Sequence, residues 1–142
     1  MQVKDVMTDK IVSISPDESA AVAARLLSRY NVGALPVCND DGRLRGMVTD
    51  RDIVLRCVAA DEDPNETKVA DIMTRRVVSV EAEDEARVAT DLMAREQIRR
   101  LPVEEGGRLI GMVSLGDFAT MPNFTMEAAE TLSEISGNMR KR

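Results

Sequence analysis

Asp5-Val6-Met7-Thr8 returns as Asp71-Ile72-Met73-Thr74, with Met7 and Met73 standing 66 positions apart, and this echo decides how the rest of the chain is read. Outward from it, the same offset relates Val12-Ser13 to Val78-Ser79, Leu26 to Leu92, and Leu35-Pro36-Val37 to Leu101-Pro102-Val103. One residue is then lost, and Gly42-Arg43-Leu44-Arg45-Gly46-Met47-Val48 returns as Gly107-Arg108-Leu109-Ile110-Gly111-Met112-Val113. Each copy closes on a hydroxyl residue three places before an aspartate, Thr49…Asp52 and Ser114…Asp117. A long period of this kind marks repeated supersecondary units that bury their apolar faces against each other. Two copies imply a pseudo-twofold module with two equivalent clefts, and clefts are where ligands sit.

Within a copy, the pattern reads strand–helix–strand–strand–helix. Ile11 to Ile14 is short and β-branched, and Ser15-Pro16-Asp17-Glu18-Ser19 turns into a helix start. Val22, Leu26, Leu27 and Tyr30 then share one helical face, which Asn31 and Gly33 end. Ala34 to Cys38 reads as a buried strand, Asn39-Asp40-Asp41-Gly42 as a hairpin turn, and Leu44 to Val48 as its second strand. A second helix from Thr49 carries Ile53, Val54, Leu55 and Val58. Residues 59–67 are acidic and apolar-poor and form the linker between a first domain, 1–58, and a second, 68–120. The second copy repeats the order with Val77 to Val80, a helix bearing Val88, Leu92 and Met93, then Leu101 to Val103 and Leu109 to Val113. A tail, 121–142, has no counterpart in the first copy, and Ala128, Leu132, Ile135 and Met139 fall on one helical stripe there, with Gly137 near its end. That stripe fits packing on the module or contact with a second copy.

Composition narrows the function classes. At 142 residues, with 44% hydrophobic and 31% charged, the chain is globular and fits one domain or two small halves sharing a core. A net charge of −6 argues against a nucleic-acid or anionic-membrane binder, and no apolar run reaches spanning length. No signal-peptide pattern is present, so the expectation is a cytoplasmic protein. Cys38 and Cys57 lie in apolar stretches and read as buried hydrophobes. The chain has no histidine, which removes the usual general base and the commonest transition-metal ligand, so no metal site is expected. Walker-type loops and nucleophile elbows are also missing, and the chain reads as a non-enzyme.

Two features carry possible binding chemistry. An aspartate after a strand, with a hydroxyl three residues earlier, suits a ribose, because a carboxylate accepts from both hydroxyls of a cis-diol. The same spacing is a capping box ahead of an apolar run, and the two roles can coexist. The other feature is Arg99-Arg100, immediately before a buried strand, where the first copy has Gly33-Ala34. Paired guanidiniums there would grip phosphate or merely balance an acidic chain. With only Tyr30, Phe118 and Phe124, an aromatic platform for a base is not expected.

These motifs together resemble the cystathionine-β-synthase (CBS) domain: the repeated Asp-Val-Met-Thr, the Gly-Ala-Leu-Pro-Val strand and the Gly-Met-Val-Thr-Asp-Arg-Asp ending. Two copies resemble a CBS pair, or Bateman module, of the small stress- and hypoxia-response type. The resemblance implies an α/β (α+β) fold of two βαββα units and an adenosyl ligand (AMP, ADP, ATP or S-adenosylmethionine) that regulates rather than reacts. It implies one site from Thr49, Arg51 and Asp52 with Val78, Arg99, Arg100 and Pro102, and another from Ser114 and Asp117 with Lys10, Val12, Gly33, Ala34 and Pro36. On this basis the arginines make the Asp52 site the better phosphate binder. It also implies a homodimer through helices, where Ile53, Val54, Val58 and Phe118 would form an open apolar face, and a protein partner reached in trans. The alternative is an interaction module with vestigial clefts that binds no nucleotide.

Overall fold

The computed structural model describes residues 1–121 and the helix at 125–140, with side chains in that helix at 129–136. Pro122, Phe124 and the side chains of Ala128, Gly137 and Met139 lie outside the described residues. In chain order the elements are α1 (Ala20–Tyr30), β1 (Ala34–Cys38), β2 (Leu44–Thr49), α2 (Asp50–Ile53), α3 (Val69–Ile72), β3 (Val80–Glu81), α4 (Ala86–Glu96), β4 (Arg100–Glu105), β5 (Arg108–Ser114), α5 (Leu115–Ala119) and α6 (Thr125–Arg140). A 3₁₀ turn at Val3–Asp5 and a π-helical turn at Val54–Val58 complete the set.

Helix α1 starts where Ser19 accepts a hydrogen bond from the Val22 amide at 3.2 Å, and stops where Asn31 turns left-handed at φ 53°. Gln97, at φ 60°, ends α4 in the same way. Both helices turn small residues inward, Ala20 and Ala23 in α1 and Ala86 and Ala89 in α4. That rotation corrects two sequence expectations. Leu27 and Met93 are buried as read, but Tyr30 and Val88 are exposed. Likewise Ile53 and Phe118 are core residues rather than parts of an open face, which consists of Val54, Leu55 and Val58. Cys38 and Cys57 are both buried, as the sequence suggests.

The chain forms two compact units that do not coincide with the sequence copies. One contains Met1–Ile11, Val78–Gly106 and Ile110–Arg142, and the other Val12–Val77 with Gly107–Leu109. Each unit therefore takes the Met-Thr arm of the opposite copy. In the first, Thr8 and Met112 exchange two backbone hydrogen bonds at 2.9 Å. In the second, Thr74 and Met47 do the same at 2.8 and 3.0 Å. Behind these arms lie separate cores. Val3, Val80, Met93, Leu101, Val103, Val113 and Phe118 anchor one. Ile14, Leu27, Leu35, Val37, Val48, Val69 and Ile72 anchor the other.

The first strand of each copy is shorter than the sequence implies. In place of a strand over Ile11 to Ile14 there is one parallel bridge, Ile14 to Val37, made by Ile14 N–H to Pro36 O (3.0 Å) and Cys38 N–H to Ile14 O (2.9 Å). The next upstream bond of that ladder would need an N–H at Pro36, which proline lacks. The second copy repeats this, with β3 beginning at Val80 opposite Val103, one step past Pro102. Both prolines are tolerated within strands because the antiparallel hairpin pairing leaves their nitrogen on the other edge.

Two glycines make the arms possible. A Cβ on Gly46 would stand 2.6 Å from the Thr74 carbonyl oxygen, and one on Gly111 would stand 2.8 Å from that of Thr8. We predict that Gly46→Ala and Gly111→Ala each lower the urea unfolding free energy by about 1–3 kcal/mol. Gly33→Ala, whose Cβ would meet Asp50 only at 3.7 Å, should be close to neutral in the same assay.

Candidate ligand-binding site

The second strand of each hairpin ends on the hydroxyl residue singled out in the sequence, and both hydroxyls cap the short helix that follows. Thr49 Oγ1 accepts from the Asp52 amide while the Asp52 carboxylate accepts from the Thr49 amide, each at 3.0 Å. Ser114 and Asp117 make the matching pair at 3.2 and 2.9 Å. The capping role is thus built in at both aspartates, and what remains of each carboxylate decides whether it can also take a ligand.

In that remainder the two copies differ. Asp52 is buried and further engaged: the Thr74 hydroxyl donates to its two oxygens at 3.3 and 3.4 Å, and Arg56 Nη1 lies 3.8 Å from Oδ1. Arg56 is itself held by the carbonyls of Ile72 and Met73, at 3.0 and 3.2 Å. Asp117 is half-buried, Met121 stands where the first copy has Arg56, and among the described residues Oδ1 of Asp117 has no hydrogen-bond partner. One carboxylate is closed upon by its own unit, and the other keeps an oxygen free.

Backbone bonding brings the strand starts beside these aspartates. The Asp50 amide donates to Gly33 O at 3.0 Å, and the Leu115 amide to Arg99 O at 2.8 Å. One unit therefore gathers Val12, Gly33, Ala34, Pro36, Thr49, Arg51 and Asp52, and the other Lys10, Val78, Arg99, Arg100, Pro102, Ser114 and Asp117. In the latter, Arg99, Arg100, Ser114, Leu115, Gly116 and Ala119 line a cavity of about 500 Å³, completed by Ala129 and Leu132 of α6. The arginines thus come together with Ser114, a grouping that the sequence reading did not make. Lys10 and Arg51 are exposed, while Pro36 and Pro102 are buried. Val12 and Val78 are half-buried, each one step before its ladder begins, so their carbonyls meet no proline N–H.

Several participants escaped the sequence reading. Thr74 and Arg56 close around Asp52, and Arg56 could have been found from its i,i+4 spacing to an aspartate on a helix. Leu132, on the stripe read as packing on the module or meeting a second copy, is 40% exposed at the cavity, and among the described side chains of α6 Thr131 and Ile135 are buried. A second cavity of about 350 Å³, between α4 and α6, mixes Arg87 and Arg95 with Asp91, Glu130 and Glu134 and favours neither sign of ligand. Among the described residues no group of three or more His, Cys, Asp or Glu could hold a metal ion. No helix among them is long and apolar enough to cross a membrane.

The CBS domain pattern matches residues 3–58 and 69–121, and the chain belongs to the CBS-domain family, carrying two copies. It is 41% identical over 134 residues to the CBS domain-containing protein YhcV of Bacillus subtilis, spanning 94% of each chain. The crystal structure of Hypoxic Response Protein I with two coordinated zinc ions is 34% identical, with a TM-score of 0.78, over 85% of this chain and 98% of that one. The CBS domain pair of protein MJ0100, in complex with 5'-methylthioadenosine and S-adenosyl-L-methionine, is 25% identical, with a TM-score of 0.72, over 84% and 97% of the two chains.

The unequal carboxylates yield a test. Asp52→Asn should lower stability by about 1–3 kcal/mol, because an amide cannot accept through two charged oxygens from three partners. The exposed Arg56 adds little to that figure. Asp117→Asn, with fewer partners to lose, should move the melting temperature less. Equal shifts for the two variants would contradict the asymmetry.

Proposed function

We propose that this chain is a regulatory, non-catalytic module that binds an adenine nucleotide, and that its better site is the one built on Ser114 and Asp117. The observation that carries this reading is the cavity in which Arg99, Arg100 and Ser114 converge beside an aspartate with an oxygen to spare. The guanidiniums would take the phosphate, Asp117 the ribose hydroxyls, and the backbone of Val78, where the ladder stops short at Pro102, the edge of the base. Lys10 belongs to the same unit and would add charge at its margin. In a chain of net charge −6, a polyanion needs such local positive charge to overcome the average field. The same charge disfavours S-adenosylmethionine, whose sulfonium is cationic. The adenosyl ligands of the MJ0100 domain pair support the ligand class.

Thr49, Arg51 and Asp52, with Val12, Gly33, Ala34 and Pro36, would form the weaker half-site. The satisfied Asp52 network favours, for that half alone, the second reading of a vestigial cleft. In this account the module works in the cytoplasm and delivers its signal to a protein partner in trans. It self-associates as a homodimer through Val54, Leu55 and Val58, which are 54%, 50% and 61% exposed.

A melting panel with AMP, ADP, ATP and S-adenosylmethionine tests the ligand. Nucleotide at a hundredfold excess over its dissociation constant should stabilise by about 2.7 kcal/mol. Arg100→Ala should weaken AMP by about tenfold or more, the loss of one charged hydrogen bond of about 1.5–3 kcal/mol. No shift with any nucleotide would overturn the reading in favour of a pure interaction module. For the assembly, light scattering should give a dimer, and Val54→Asp with Val58→Asp a monomer. A monomeric unmodified chain would refute it.

A further inference from the structure

Helix α6 belongs to the tail, outside both matched CBS copies, yet it packs on α4 and α5 and supplies one wall of the Arg99–Arg100 cavity. Thr131 and Ile135 bury into the unit, and this seating leaves Ala129 and Leu132 lining the cavity along with the arginines and Ser114. The first copy serves as an internal control. The counterparts of the cavity residues there are Gly33, Ala34, Thr49, Asp50, Arg51 and Val54, and the tail follows only the second copy. The tail helix thus contributes one wall of this cavity.

We infer that this wall makes the site selective for a phosphate monoester over a triphosphate, and that Leu132 is the specificity-determining residue. The inference rests on the nucleotide reading above and names which nucleotide class the site takes. The paired guanidiniums are the charged donors that line this cavity, and together they match a single anionic group held against the wall. A longer phosphate chain would set further anionic oxygens against Leu132 and Ala129, whose side chains offer no donor in place of the water they displace. AMP therefore binds more tightly than ATP, and Leu132 sets the margin.

Calorimetry with AMP and ATP on the full chain tests this. The unmodified chain should prefer AMP by about tenfold, the worth of one unsatisfied charged group. Leu132→Lys should erase or reverse that preference by raising ATP affinity, and Leu132→Glu should weaken both nucleotides. Leu132 is 40% exposed, so both variants are expected to fold. As a measurement needing no variant, hydrogen exchange at Thr131 to Ser136 should slow when AMP binds. AMP binding with an unchanged AMP-to-ATP ratio in Leu132→Lys, or with unaltered exchange in α6, would overturn the role of the tail and leave the nucleotide reading standing. Failure of the unmodified chain to bind either nucleotide would overturn both.

Discussion

Proline in mid-strand is the constraint on which the rest of this structure turns. Pro36 and Pro102 have no N–H to give, so the parallel ladder that begins at Ile14 or Val80 cannot extend one step back toward Val12 or Val78. The chain before each ladder is left with backbone groups unclaimed by the sheet, next to the strand start at Ala34 or Arg100. The hairpin register then sets Thr49 opposite Ala34, and the Leu115 amide binds Arg99 in the second copy. An interrupted sheet, a hydroxyl and a carboxylate thereby come to one edge of each unit. A single missing donor organises the place where chemistry is possible.

From that shared frame the copies diverge through a few side chains. A carboxylate removed from water is costly unless its lone pairs are met. Asp52 answers this with Thr49, Thr74 and Arg56, all within its own unit, so the site is stable without help from a ligand. Asp117 lacks the counterpart of Arg56 and stays half-exposed, beside two arginines that the first copy lacks. Repeat symmetry of the backbone does not imply symmetry of function, because satisfaction is decided one hydrogen bond at a time.

Much of the fold was legible because the repeat aligns each apolar face twice. The α1 boundaries, the Asn39–Gly42 turn, the hairpin strands and the burial of both cysteines follow from local pattern. Less legible was whatever depends on distance in sequence. Nothing local tells that Thr74 will reach Asp52, or that each Met-Thr arm packs in the unit of the opposite copy. The first strands looked longer than they are because β-branched residues were visible while the missing amide of a proline some 20 residues away was not. Arg99 and Arg100 were recognisable as unusual, but their company was not, since it depends on a tail helix that buries Thr131 and Ile135 and sets Leu132 at the arginines' cavity.

The exchanged arms bear on how the molecule is made. Thr8 exchanges its backbone hydrogen bonds with Met112, so the unit that holds it cannot be completed until the chain has been made as far as Met112. The unit built around Val12–Val77 closes its own arm at Thr74 and can consolidate earlier. Contacts of such long separation slow folding through the loop that must close before they form. A single copy in isolation would carry an arm with no strand to receive it and a strand with no arm, and could satisfy both only by lending to and borrowing from another chain. Duplication in this architecture is therefore a way of keeping within one polypeptide an exchange that separate copies would have to make between strangers.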